Sequence, residues 1–156
     1  MRFVIAASTD RFVDSCRDFL GNRPGLDFRR GSVAETGWDC DAAILSFALA
    51  HDRYGGTPQL GVAQVLANER ADGAPGVILA TPPIPLAAAS RNPSDTDVEK
   101  HVLDALDSCL AAYTKEIGSL QDAKILIHLE AAGIDRVDLG APLRGIAEFL
   151  DEAGLV

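Results

Sequence analysis

Cys40-Asp41-Ala42-Ala43-Ile44-Leu45-Ser46-Phe47-Ala48 is nearly continuous in apolar residues, and between Ala42 and Leu45 both alternate faces are apolar. A strand with one wet face alternates apolar and polar residues, whereas a strand apolar on both parities is covered on both sides. The same pattern recurs at Arg2-Phe3-Val4-Ile5-Ala6-Ala7, at Val77-Ile78-Leu79-Ala80 and at Lys124-Ile125-Leu126-Ile127-His128-Leu129. Leu26-Asp27-Phe28-Arg29-Arg30 is a shorter, alternating run. Buried strands separated by helical segments predict an α/β fold, a three-layer α/β/α sandwich with a mostly parallel mixed sheet. The 156 residues carry no linker and no internal repeat, which predicts one domain over 1–156.

The helical segments follow from spacing and caps. Ser8 or Thr9 caps a helix with Phe12, Val13, Cys16, Phe19 and Leu20 on one face, stopped by Gly21. Ser94, with Asp97 three residues on, opens the longest helix, striped by Val98, Val102, Leu103, Leu106, Cys109, Leu110 and Tyr113. Leu143, Ile146, Ala147, Phe149 and Leu150 predict a last helix ended by Gly154. Residues 50–59 are expected to form a long loop. Leu60, Val62, Val65 and Leu66 have spacing that predicts a short helix over 60–69. Pro82, Pro83 and Pro85 end the strand that precedes them.

Composition excludes several functional classes. At 47% hydrophobic and 24% charged residues the chain is neither disordered nor fibrous. The apolar run near Met1 is too short for a signal-peptide core, and no run approaches the roughly 18 residues that span a bilayer. Cys16, Cys40 and Cys109 are odd in number and lack metal-ligand spacing, so reduced thiols and a cytoplasmic, non-membrane protein are expected. Net charge is −9, from 23 acids and 14 bases, which repels a phosphate backbone and argues against broad nucleic-acid affinity. A single small anion is still compatible, since backbone N–H groups can hold a phosphate without lysine or arginine.

Ligands of open α/β sheets sit beyond the carboxyl ends of the strands. Here the loops 31–35, 48–61 and 130–141 qualify. Walker A, GxGxxG, GxSxG and HExxH motifs are absent, and adjacent His51 and Asp52 fit a solvated loop better than a metal site. No metal and no cofactor is expected. His128, inside an apolar strand, reads as a satisfied core histidine, and His101 as a surface residue. Gly55, Gly56 and Gly61, and opposite them Ala132 and Gly133, would let backbone approach a ligand closely. Asp135 either acts as a general base or hydrogen-bonds a ligand hydroxyl, or else caps the next helix. Arg136 either belongs to the same loop's chemistry or pairs with a nearby acid.

Gly133-Ile134-Asp135-Arg136-Val137-Asp138, followed by the helix ending Gly145-Ile146-Ala147-Glu148-Phe149-Leu150, resembles the macrodomain family, α/β/α modules that bind ADP-ribose. The resemblance is to the branch of terminal ADP-ribose protein glycohydrolases and DNA ADP-ribosyl glycohydrolase antitoxins. Asp41-Ala42-Ala43-Ile44-Leu45-Ser46 leading to the 55–61 loop, and Asn92-Pro93 before the long helix, are similar as well. The resemblance implies a monomeric ADP-ribosyl hydrolase acting on modified protein side chains or nucleobases, or a non-catalytic ADP-ribose-binding module. It implies Asp135 as the catalytic residue. Its ligand contacts would be Ser32, Val33, Gly55, Gly56, Leu60, Gly61, Ala131, Ala132, Gly133, Ile134 and Arg136. Ser32 stands where members usually carry an adenine-binding aspartate, and Ala131 and Ala132 precede a single Gly133. The branch's catalytic lysine has its counterpart near Pro82, so the chemistry implied here is assisted by Asp135 and forms no lysine adduct.

Overall fold

The computed structural model describes residues 1–83, 94–134 and 138–155. Its elements run β1 (Arg2–Ala7), α1 (Asp10–Leu20), β2 (Leu26–Arg30), α2 (Val33–Gly37), β3 (Ala42–Leu45), α3 (Phe47–Tyr54), β4 (Gln64–Ala67), β5 (Val77–Ala80), α4 (Asp95–Glu116), β6 (Lys124–His128) and α5 (Gly140–Glu152). The strands form one sheet in the order β2-β1-β6-β3-β5-β4, parallel except for the antiparallel pair β4–β5.

Strand parity assigns the layers. Phe3, Ile5, Ile44, Leu79, Ile125 and Ile127 pack into one core with residues of α1, α4 and α5. Val4, Ala6, Ala43, Leu45, Ile78 and Leu126 pack on the other side with Leu66, Ala50 of α3 and the flanking Val33 and Tyr54. The molecule is therefore a three-layer α/β/α sandwich around a mostly parallel mixed sheet, as the apolar runs predict. Phe3 meets Phe149 edge-on at 5.3 Å between centroids, tying β1 to α5. Among the described residues no helix is long and apolar enough to cross a membrane, and Cys16, Cys40 and Cys109 are free.

Three local expectations are corrected. Residues 60–69 do not form a helix, because Gly61 has φ +74° and Gln64–Ala67 instead pairs with β5 as an edge strand. The return is held by Asn68, whose side-chain amide donates to Asp72 and to the carbonyls of Ala74 and Pro75. The predicted 50–59 loop is half helix, since Ser46 ends β3 and caps α3 by accepting from Leu49 N at 3.3 Å. The 31–35 loop turns into α2, closed by a capping box in which Ser32 and Glu35 satisfy each other's backbone N–H.

At the amino end of the sheet, Asp39 accepts from Arg29 at 2.5 and 3.1 Å and from Lys124 Nζ at 2.6 Å, joining β2, the α2–β3 turn and β6. These side chains are largely buried. Arg29, and secondarily Lys124, hold the Asp39 carboxyl far below the usual carboxylate range. Asp39→Ala is expected to destabilise the fold by about 1–2 kcal/mol at pH 7, less than for a fully buried pair because solvent still reaches the site. A depressed carboxyl stabilises above its unfolded value of about 3.9 and loses that contribution as pH falls toward its folded value. The gap between wild type and variant in urea midpoints should therefore shrink progressively below about pH 4; a gap independent of pH would refute the ion-pair account.

Candidate functional site

The strand order reverses direction around β6. From β1 the chain steps outward to β2, whereas from β3 it builds the other half, and β6 fills the place between β1 and β3. The carboxyl ends of β1, β3 and β6 thus converge where two connections leave in opposite directions, the position at which such sheets open a crevice.

At that edge His128, the last residue of β6, is buried and both its ring nitrogens are used. Nε2–H donates to Gly31 O at 2.8 Å, and Nδ1 accepts from Ala131 N at 3.3 Å. The ring is a fixed brace between the β2 and β6 loops, in line with a satisfied core histidine. Glu130 follows it, its carboxylate accepting from Ser8 N at 2.9 and 3.1 Å beyond β1. Ser46 N donates to Ala131 O at 2.8 Å, and Phe47 N to Thr81 Oγ1 at 3.1 Å, so the start of α3 is tied to the ends of β5 and β6.

Two clefts flank this junction. The larger, about 500 Å³, is lined by Ser32, Val33, Leu49, Arg53, His128 and Glu130, with Ser8, Asp72 and Ala131 at its sides. On the far side of the turn a cavity of about 50 Å³ lies among Thr81, His101, Ala132, Gly133 and Ile134. It adjoins, through His101 and Ala105, a groove of about 220 Å³ beside Gly61, Pro82 and Pro83. No family model and no curated protein matches the chain.

The expected ligand contacts are accordingly divided. Ser32, Val33 and Ala131 line the large cleft, while Gly61, Ala132, Gly133 and Ile134 line the small ones. Gly55 and Gly56 lie at the other end of α3 from Ser46, separated by the helix length of about 12 Å, and Leu60 is exposed. The 55–56 glycines therefore do not face Gly133 across one opening. Asp135 and Arg136, and also Asn92 and Pro93, lie outside the described residues.

The turn after β6 is closed on itself. Ala132 N donates to His128 O, Gly133 N to Glu130 O and Ile134 N to Leu129 O. Gly133 has φ +73°, a conformation that favours glycine, and a Cβ there would sit 3.3 Å from Ser46 Cβ, a tight contact. α5 begins at Gly140 with Leu139 at its N-cap position, and Asp138 accepts from Gly140 N at 2.8 Å. The N-cap of that helix is thus not Asp135.

Among the described residues no lysine lines these clefts. Lys124 is paired at the opposite end of the sheet, and Lys100 and Lys115 are exposed on α4. His101 is exposed, as expected, but also borders both small openings. Sequence reasoning overlooked Glu130, His128 as a loop brace, and Arg53. The signal for Glu130 was its position directly after a buried strand in a chain whose carboxyl-end loops were already suspect.

Proposed function

We propose that this chain is a cytoplasmic macrodomain-like protein that binds ADP-ribose across the carboxyl edge of its sheet and hydrolyses ADP-ribosyl links with the help of Asp135. The observation that carries the reading is a pair of openings both lined by the turn after β6, the larger by Ala131 and the smaller by Ala132 and Gly133. A long, two-ended ligand matches that arrangement. One end takes the large cleft beside Ser32 and Val33, the diphosphate crosses near Gly133 and Ser46, and the second ribose reaches the cavity beside Thr81 and Ile134.

Asp135 directly follows, in the chain, Ile134, which lines the cavity. The placement of the α5 N-cap at Leu139 removes the competing role of Asp135 as that helix's cap. In this reading its carboxylate accepts a proton from water as the water attacks the anomeric carbon, or stabilises the charge that develops there. The proton relay ends on the departing side-chain or base atom, and ADP-ribose is released. Binding without turnover is the second reading, favoured by the position of the lysines away from the clefts.

ADP-ribose at 100 times its dissociation constant should stabilise the protein by about 2.7 kcal/mol. For a chain of this size that is a rise of roughly 5–10 °C in Tm. A melting curve unmoved by millimolar ADP-ribose would overturn both readings.

A further inference from the structure

The polar groups around the large cleft are not equally committed. Asp72 accepts from Tyr54 Oη at 2.8 Å, Asn68 Nδ2 at 2.9 Å and Ala74 N at 3.0 Å. Ser32 Oγ accepts from Glu35 N in the capping box, and the ring nitrogens of His128 are used on Gly31 and Ala131. Glu130 differs. Both of its oxygens share a single backbone donor, Ser8 N, with His128 Nε2 at 3.8 Å already donating elsewhere. A carboxylate has about four acceptor sites, so Glu130, which lines the cleft, keeps acceptor capacity beyond its bond to Ser8 N. The side chain is 26% exposed, recessed but open to a ligand. Val33, Leu49 and Ala131 supply apolar walls around it.

We infer that Glu130 is the specificity-determining residue of this cleft, accepting N–H from the exocyclic amine of a nucleobase held between the apolar walls. The inference rests on the ADP-ribose reading and names what fixes its base. Arg53 supplies N–H donors to the same cleft, whereas Glu130 only accepts, so the ligand atom that meets Glu130 has to donate, and a flat heterocycle with an amine combines donor and apolar face.

Adenosine 5′-monophosphate and purine riboside 5′-monophosphate test this, because they differ only in the amine. Calorimetry on the wild type should give at least about tenfold tighter binding of the aminated nucleotide, as expected for loss of a hydrogen bond to a charged acceptor. In Glu130→Gln the amide oxygen is claimed by Ser8 N–H and the NH₂ turns to the ligand, so the preference should vanish or reverse while the near-isosteric side chain preserves the fold. Equal affinities in the wild type, or a preference unchanged in Glu130→Gln, overturn the role of Glu130 and leave the ADP-ribose reading standing. If neither nucleotide nor ADP-ribose binds, that reading and the inference fail together.

Discussion

Asp135→Asn is expected to lower the rate of ADP-ribose release from a mono-ADP-ribosylated substrate by about 10²–10⁴-fold, the usual contribution of a positioned general base. Asparagine keeps the size and the acceptor oxygen of aspartate but cannot take a proton. Affinity for free ADP-ribose should therefore change by no more than a few-fold, so that the loss falls on turnover rather than on binding. The split matters because two other candidates for the chemistry are otherwise engaged. His128 has both ring nitrogens bonded, and Lys124 is held by Asp39 at the opposite end of the sheet. Release would be followed from modified protein and from modified single-stranded DNA, with mass spectrometry of the enzyme during turnover expected to find no covalent adduct. Turnover by Asp135→Asn at the wild-type rate would end the claim for this residue. Binding without turnover by either protein would leave the non-catalytic module.

What could be seen in the sequence follows from range. β1, β5 and β6 carry apolar residues on both faces, and α1 and α4 carry Thr9 and Ser94 caps that accept from Phe12 N and Asp97 N, so each element is specified within its own few residues. The failures are elements whose identity is decided elsewhere. Gln64–Ala67 is a strand because β5 offers it a ladder, and the spacing of Leu60, Val62, Val65 and Leu66 cannot separate that outcome from a helix. α2 was signalled by Ser32 and Glu35 at capping-box spacing, but it has too few apolar residues to give a helical stripe. α3 was concealed because Ser46, its cap, continues an apolar run into Phe47 and Ala48. For the site, the sequence located the carboxyl-end loops, but the insertion of β6 between β1 and β3 is a property of the assembled sheet. The bond from Ser8 N to Glu130, 122 residues away, had no local trace either.

Gly145→Ala offers a test in which local and tertiary physics have opposite signs. Gly145 lies within α5, where replacing glycine by alanine ordinarily stabilises a helix by about 0.8–1 kcal/mol. Here a Cβ would stand 2.6 Å from Glu99 O and 3.0 Å from Val102 Cβ. Glu99 O belongs to the backbone of α4, so no rotamer change relieves the overlap, and α4 and α5 would have to separate. That interface buries Val102, Leu106, Cys109 and Leu110 together with Leu143, Ile146, Phe149 and Leu150 in the main core. Overpacking of this kind costs about 1–3 kcal/mol and sometimes more, and a shift of the helix pair also disturbs the contacts of Leu106 and Phe149. The net expectation is destabilisation by about 2 kcal/mol, read as a fall in Tm of roughly 4–8 °C. Gly76→Ala provides the comparison, since nothing lies within 4 Å of a Cβ there, and its effect should stay within about 0.5 kcal/mol. A rise in Tm for Gly145→Ala would mean that helix propensity outweighs the close approach, and that α4 and α5 are not packed backbone against backbone at this crossing.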